Sequence, residues 1–328
     1  ATTTDVDALP PVLQSLLAPF VDPASRTVWF AWVPFVLVAL GVGWQRTGRL
    51  SLSQVFPRSV WGHASSRLDL QLLMARQLLQ AAGLVVVVGS AHGVAVALVR
   101  ALDQAVGAPE VPVGVVAALF PVVLFVLWDL SRYVVHRVMH EVPVLWELHQ
   151  VHHSAEVLSP LSFHRVHPLE GLIYGLRGVL VTGTVTGLAF WLARGEATDW
   201  TLLGVNGVGL LFNSITGNLR HSHVWLRFPA PVERWLLSPA QHQLHHSAAP
   251  GDDRCNYGTW LALWDRLGGS WRRAPAEAPA VFGVHGPRNH GHDLVSAWVG
   301  PLVAIGHRLR GAAPAVTVMG LTVLVPSL

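Results

Sequence analysis

Three short stretches of the chain place histidines at the spacing of a helical face. They read His136-Arg-Val-Met-His140, His149-Gln-Val-His152-His153 and His242-Gln-Leu-His245-His246. Because residues three and four positions apart lie on one side of a helix, the first stretch presents two imidazoles together and each of the others presents three. Neutral imidazole binds zinc, copper, iron and nickel. A lone histidine is more often structural, but three such clusters predict a metal site.

The number of imidazoles indicates two metal ions. The eight histidines of the clusters exceed the needs of one zinc ion, which takes about four ligands. Two redox-active irons with nitrogen-rich ligation and open positions could bind and cleave dioxygen. Soluble di-iron bundles use Glu and Glu-x-x-His ligands instead, a set that this sequence lacks. Cys255 is the only cysteine, which excludes an intrachain disulfide and a thiolate metal cage.

The composition indicates that this site belongs to a membrane protein. Hydrophobic residues make up 52% of the 328 residues and charged residues 12%, whereas soluble domains carry about 25% charged residues. All 22 basic residues are arginine, and the net charge of +3 is too small to indicate nucleic-acid binding. The N-terminal tail holds acids and prolines before any apolar run, unlike a signal peptide.

Five apolar runs have the length of a membrane span, about 20 residues. They are residues 27–44, 78–99, 111–135, 171–193 and 200–216. Asn206 and Asn213 interrupt the last run, so five spans, or four with a re-entrant hairpin, are expected. The sequence therefore predicts an all-α integral membrane protein whose cytosolic helical cap holds a dimetal site.

The distribution of arginine predicts the orientation. The segment 45–77 carries five arginines against one acid, Asp69, whereas the loops near Asp103 and Glu196 are poor in arginine. Because cytoplasmic loops collect positive charge, the N-terminus is expected outside and the segment 45–77 inside. Alternating spans then place all three histidine clusters on the cytoplasmic side.

The clusters and two further motifs together resemble the fatty acid hydroxylase/sterol desaturase superfamily, above all its bacterial sterol desaturase branch. The two motifs are Arg165-Val-His167-Pro-Leu-Glu170 and Asn256-Tyr257-Gly258 followed by Trp264-Asp265-Arg-Leu267-Gly268. The resemblance extends from Phe125 to Trp271. It divides the chain into an N-terminal membrane region (1–124), a catalytic domain (125–273) and a C-terminal loop with an interfacial or apolar tail (274–328).

The resemblance implies ten candidate metal ligands and several side chains that support them. The candidate ligands are His136, His140, His149, His152, His153, His167, His221, His242, His245 and His246. His167 could bind metal or hydrogen-bond to a ligand, because a metal-bound imidazole normally has its second nitrogen held. His223 replaces an asparagine that is usual in the family, and could be a ligand, a supporting donor or neither. Asp129, Glu170 and Asn218 are candidate supporting side chains, although a helix-end charge at the membrane interface explains Asp129 equally well.

The resemblance also implies the reaction. It indicates an enzyme of the bacterial inner membrane that uses two irons, dioxygen and external electrons to hydroxylate or desaturate a lipid C–H bond. Because no flavin or dinucleotide fingerprint occurs, the expected partner is a ferredoxin or cytochrome-type donor with its reductase, docking on the arginine-rich face. The lipid would enter from the bilayer through a mostly apolar tunnel. Hydroxylation is favoured over desaturation and ether oxidation, which use the same ligands.

One alternative from another class remains open at this point. A histidine-rich membrane protein could bind or transport metal without redox catalysis. Its ligands would be expected near the bilayer midplane on broken helices, whereas the clusters here follow the ends of apolar runs.

Overall fold

The computed structural model describes residues 9–21, 28–82, 89–107, 109, 111–194, 213–288, 290–311, 316–318 and 321–323. The regular elements are mainly helical. The α-helices are α1 (Pro11–Val21), α2 (Trp32–Thr47), α3 (Leu52–Val55), α4 (Arg58–Trp61), α5 (Ala64–Ala81), α6 (Ala91–Ala105), α7 (Val113–Glu141), α8 (Pro143–His153), α9 (Pro168–Leu192), α10 (Asn218–Arg220), α11 (Ala230–Glu233), α12 (Pro239–His245), α13 (Leu263–Leu267) and α14 (Leu294–Gly311). Short 3₁₀ helices lie at Trp29–Ala31, Pro160–His164 and Asp252–Arg254, and a π turn lies at Asn213–Gly217.

Two helices, α7 and α9, are long and apolar enough to cross a membrane. The helix α7 has 29 residues and α9 has 25. At about 1.5 Å per residue, both exceed the bilayer core of about 30 Å. Pro112 precedes α7 and Pro168 opens α9, as expected from the preference of proline for helix starts. The predicted spans 111–135 and 171–193 fall in these two helices, which supports membrane association.

The other three predicted spans are not confirmed. The run 27–44 forms a 3₁₀ helix followed by α2, which with 16 residues is shorter than a span. The prediction of one helix over 78–99 is wrong, because α5 ends at Ala81 and α6 begins after Ser90. The Ser90 hydroxyl accepts the Gly93 N–H at 3.0 Å and caps a new helix. Residues 83–88, and residues 200–212 of the last run, lie outside the described residues, so the count of four to five spans stays a prediction.

Helix α9 packs against both α6 and α7. Two glycines bring α6 close: a Cβ on Gly183 would lie 2.6 Å from the Cβ of Val94, and one on Gly187 would lie 3.0 Å from the Cα of Ala95. The contact with α7 is a buried apolar cluster. Its members are Val116, Phe120, Leu124, Val185, Ala189 and Ala193. Because the first half of α7 meets the second half of α9, the C-terminal end of α7 lies beside the start of α9.

The segment before α9 is attached to α5 by a buried ion pair. Arg165 donates from Nε to Asp69 Oδ1 at 2.6 Å, and both side chains are fully buried. The same guanidinium donates to Ser154 Oγ at 2.9 Å, just after α8. Arg165 therefore fixes α5, the end of α8 and the approach to α9 relative to one another.

The described C-terminal residues form a short ribbon. Strands β1 (Val316–Val318) and β2 (Leu321–Val323) pair antiparallel, with Val316 opposite Val323. The predicted helical class is confirmed, and this ribbon is a departure from the all-α expectation. The cytosolic cap remains a prediction.

Candidate metal centre

Three helices carry the histidine clusters, as their spacing predicts. His136 and His140 lie one turn apart near the end of α7. The second cluster occupies the last turns of α8, and the third occupies α12, with His246 as its C-cap. His221 is the C-cap residue of the short helix α10. Each cluster thus sits where a helix ends, which allows three chain segments to meet.

Nine of the ten candidate ligands converge into two groups. The first group consists of His136, His140, His149, His153 and His245, and the second of His152, His221, His242 and His246. Within each group, one ring nitrogen from every member lies within 4.8 Å of the others. The groups adjoin, because the rings of His153 and His246 stack with centroids 4.4 Å apart. Residues about a hundred positions apart therefore line one centre.

Main-chain carbonyls fix the orientation of three imidazoles. His136 Nδ1 lies 2.6 Å from the carbonyl of Tyr257, and His245 Nδ1 lies 2.7 Å from that of Cys255. His152 Nδ1 lies 3.1 Å from the carbonyl of Arg165. Because a carbonyl oxygen only accepts hydrogen bonds, each Nδ1 carries the proton and each Nε2 keeps a lone pair.

A carboxylate orients a fourth imidazole. His149 Nδ1 lies 2.7 Å from Glu170 Oε1, and both side chains are 2% exposed. His149 Nε2 is buried and has no hydrogen-bond partner among the described residues. Glu170 therefore contacts a candidate ligand directly, in the arrangement that holds metal-bound histidines.

The facing nitrogens show that these residues fit metal ions. His136 Nε2 and His245 Nε2 lie 3.0 Å apart, and both carry lone pairs because their protons are on Nδ1. Two lone pairs facing each other repel unless a cation lies with them. His140 also has both nitrogens buried without a partner among the described residues. Donor sets made only of imidazole suit iron, copper, zinc and nickel.

The second group is equally compact. His221 Nε2 lies 3.2 Å from His152 Nε2 and 3.1 Å from His242 Nε2. His246 Nε2 lies 3.3 Å from His242 Nε2. One proton cannot bridge all of these contacts, whereas one metal ion can accept several nitrogens together.

Burial keeps the imidazoles of α8 in the form that binds metal. Burial lowers the pKa of His149 to about 3. Burial and then the neighbouring His149 lower the pKa of His152 to about 4. Both rings are therefore neutral at pH 7, and a metal ion does not have to displace a proton from them.

Two buried carboxylates hold the loop that supplies the Tyr257 carbonyl. Asp129 of α7 accepts the N–H groups of Trp260 and Leu261 at 3.0 and 2.9 Å. Asp265 accepts the N–H groups of Tyr257 and Gly258, each at 2.8 Å. Asp129 thus supports the centre through the main chain. The role of Asp265 was missed from the sequence, although its place in the motif after Asn256-Tyr257-Gly258 is a signal that could have identified it.

The structure does not bring the remaining candidates into either group. His167 was a candidate ligand, but its Nδ1 accepts the Leu169 N–H at 3.2 Å and its Nε2 donates to the Trp298 carbonyl at 3.0 Å. It caps the helix that carries Glu170. His223 donates to the Gln54 carbonyl at 2.8 Å, and Asn218 donates to the Ala31 carbonyl at 2.9 Å.

A cavity of about 510 Å³ opens onto the histidines and continues between α7 and α9. Members of both groups line one end. Trp128 and Tyr174 line it further along, together with four arginines: Arg76, Arg132, Arg177 and Arg220. The tunnel is predicted to be mostly apolar, and most of its lining surface is apolar; the four cations are an addition that the prediction lacks. Arg132 and Arg177 stand in otherwise apolar helices, which is the signal that sequence reasoning passed over.

Residues 121–270 match the family described as fatty acid hydroxylase. The chain is 29% identical over 171 residues to ornithine lipid hydroxylase OlsE of Rhizobium tropici, covering 51% of this chain and 46% of that protein. It is 27% identical over 159 residues to alkylglycerol monooxygenase of Danio rerio (48% and 31%). It is 24% identical over 190 residues to lathosterol oxidase of Homo sapiens (56% and 52%). The chain thus spans about half or less of the length of these relatives.

No solved structure matches the chain. The matched family segment contains every member of both histidine groups. The resemblance drawn from the histidine clusters is therefore confirmed.

Proposed function

We propose that this chain is a membrane-bound di-iron oxidoreductase that uses dioxygen to hydroxylate or desaturate a lipid. Its residues 121–270 match the fatty acid hydroxylase family, and the chain is similar to enzymes of the fatty acid hydroxylase/sterol desaturase superfamily. One observation carries the proposal: two adjoining groups of buried imidazoles open onto a cavity, and within each group ring nitrogens of different histidines lie 3.0 to 3.3 Å apart. The relatives support the substrate class, since their names describe oxidation of an ornithine lipid, an alkylglycerol and a sterol.

The two groups would each hold one iron. The five imidazoles of the first group and the four of the second are the proposed ligands. Bound iron would supply dioxygen activation and the oxidising power needed to break an unactivated C–H bond. The protein's own contribution is orientation: three main-chain carbonyls and Glu170 hold the ligating rings in one tautomer.

The cavity would position the lipid. It passes from the histidines along α9, where Gly171 and Gly175 form part of its wall. A Cβ on Gly175 would meet no atom within 4 Å, so open space lies beside the helix there. A chain in this space would bring one carbon to the centre. We favour hydroxylation, and the same ligands would serve desaturation or ether oxidation.

The partner and the location belong to the same proposal. Electrons would come from a ferredoxin or cytochrome-type protein with its reductase, which would dock on the face formed by the arginine-rich segment 45–77. We place the centre on the cytoplasmic side of a bacterial inner membrane, because that segment has the charge of a cytoplasmic loop.

The proposal is tested by metal analysis and Mössbauer spectroscopy of anaerobically purified protein. About two coupled irons per chain are expected, together with dioxygen-dependent oxidation of lipid when a reduced ferredoxin is supplied. His245→Ala should lose iron and turnover but still insert into membranes. His223→Ala is the matched control, since that histidine is bound to Gln54 outside both groups.

Two results would contradict the proposal. A single zinc ion per chain would exclude a di-iron centre. Two metal ions without any lipid oxidation would favour the alternative, a metal-binding or transport protein.

A further inference from the structure

Arg132, Arg177 and Arg220 line the cavity, and none of them has a carboxylate partner among the described residues. The fourth arginine of the lining, Arg76, is exposed. Arg132 lies in α7, Arg177 lies in α9 and Arg220 ends α10. Arg177 is 8% exposed and Arg220 is 2% exposed. The ion pairs found within the described ranges involve other arginines. Removing a charge from water is unfavourable unless an opposite charge compensates it, so this arrangement needs an explanation.

The guanidinium groups are fixed in place but keep unused donors. Arg177 donates to Ser131 Oγ at 2.8 Å and lies 4.2 Å over the ring of Trp128. Arg132 and Arg220 both donate to Thr259, one to its hydroxyl and the other to its carbonyl. The Nε of Arg177 and the Nε and Nη2 of Arg220 are buried with no hydrogen-bond partner among the described residues.

The electrostatics also favour an anion. Arg132 and Arg220 both line the cavity and both contact Thr259, so two cations lie close together. Both oxygens of Asp129 already accept hydrogen bonds from the loop at Trp260. An arginine guanidinium stays charged in proteins, so Arg220 adds a positive charge to the cavity. A bound anion would offset both the cost of burying the Arg220 guanidinium and its repulsion from Arg132.

We infer that the substrate is a lipid with an anionic group, a phosphate or a carboxylate, and that Arg132, Arg177 and Arg220 bind this group inside the cavity. Guanidinium forks match the oxygens of both groups and form strong charge-assisted hydrogen bonds with them. The inference rests on the proposed function, because it assigns a substrate class to the same cavity.

The positions of the arginines also indicate which carbon reacts. Arg132 precedes His136 by four residues on α7, and Arg177 follows Glu170 by seven on α9. At about 1.5 Å of helix rise per residue, Arg132 and Arg177 lie roughly 6–11 Å along their helices from His136 and Glu170. An anion held there places a C–H bond near the charged end of the lipid, and not the far end of its chain, at the centre.

The test compares lipids with the same acyl chains on the full-length protein in a neutral detergent. Native mass spectrometry or competition with a fluorescent lipid measures binding of phosphatidic acid, free fatty acid, uncharged diacylglycerol and inorganic phosphate. Phosphatidic acid or fatty acid is expected to bind at least about tenfold more tightly than diacylglycerol, because only the anionic lipids form charge-assisted hydrogen bonds with the arginines. Whichever of the two anionic lipids binds more tightly identifies the source of the anion.

Variants link this preference to the cavity. Arg177→Gln and Arg220→Gln should each lose most of the preference for anionic lipid, and Arg177→Lys should keep part of that preference. Arg266→Gln is the matched control, because Arg266 is exposed and lies 5.3 Å over the ring of Trp235, outside the cavity. This variant loses the same charge and should bind as the unmodified protein does.

Three outcomes would overturn the inference. They are equal binding of diacylglycerol and the anionic lipids, an unchanged preference in Arg177→Gln, and binding of inorganic phosphate as tight as that of the anionic lipids. Iron content measured on the same samples separates the two proposals. Iron with no anion preference contradicts only this inference, whereas an anion preference without iron contradicts the proposed function.

Discussion

Glu170 offers the sharpest test of the metal centre, because it contacts one imidazole and is hidden from solvent. Its Oε1 lies 2.7 Å from His149 Nδ1, and both side chains are 2% exposed. Glu170→Gln keeps the size and one acceptor oxygen but removes the negative charge. The imidazole becomes less basic, and its ring can turn away from the centre.

The expected loss can be sized. Replacing a group that orients a metal-bound histidine typically lowers metal affinity by about 10–100-fold. This range corresponds to about 1.4–2.7 kcal/mol of binding free energy. The first group should weaken and the second should not, because His149 belongs to the first group alone. Competition with a chelator of known affinity, read by metal content, would show one site weakened and the other unchanged.

Glu156→Gln is the matched control. Glu156 also pairs with a histidine, since its Oε1 lies 3.1 Å from His292 Nε2, but this pair is far more exposed and outside both groups. Metal affinity in this variant should equal that of the unmodified protein. If Glu170→Gln bound metal as tightly as Glu156→Gln, the reasoning from the Glu170–His149 contact would be refuted.

Three further changes have outcomes that follow from the structure. Asp69→Asn leaves the Arg165 cation buried and unpaired, so stability should fall by about 3–5 kcal/mol. Thermal unfolding should show a lower midpoint, and an unchanged midpoint would contradict the role given to this ion pair. Burial raises the pKa of the Cys255 thiol to about 12, so the thiol stays protonated at pH 8. Iodoacetamide should therefore label Cys255 only after unfolding, which mass spectrometry can show. Asp265→Asn replaces one carboxylate oxygen with a donor that faces a main-chain N–H. The lost charge-assisted hydrogen bond should lower stability by about 1.5–3 kcal/mol, which circular dichroism melts would measure. Iron should leave the first group before the second.

The local part of the centre could be predicted from the sequence because helical spacing is a local property. His136 and His140 share a face of α7 for the reason that any residues four apart do. The convergence of α8 and α12 on that face is a long-range property. It was expected from the number of imidazoles and from the resemblance, since no local pattern encodes it.

The differences between the predictions and the structure share a physical cause. A local sequence pattern does not reveal partners that are distant in the chain. His167 has a place in the family motif, but the Trp298 carbonyl that accepts its Nε2 proton comes from α14. The run 78–99 has the hydropathy of a span, yet Gly89 adopts a left-handed conformation with φ of 68° and Ser90 caps a new helix. Arg132 and Arg177 line a common cavity only because α7 and α9 pack together.

The use of main-chain carbonyls to orient the imidazoles determines where the protein can tolerate sequence drift. A change of side chain at Tyr257 or Cys255 leaves the acceptor oxygen in place, so conservative replacements there should be silent. Gly258 has no such freedom, because a Cβ would lie 2.7 Å from Asp265 Oδ2 and 2.6 Å from Leu237 Cδ1. Random mutagenesis should therefore collect inactivating changes at the anchors of this loop, Asp129, Asp265 and Gly258, and tolerate conservative changes at Tyr257 and Cys255.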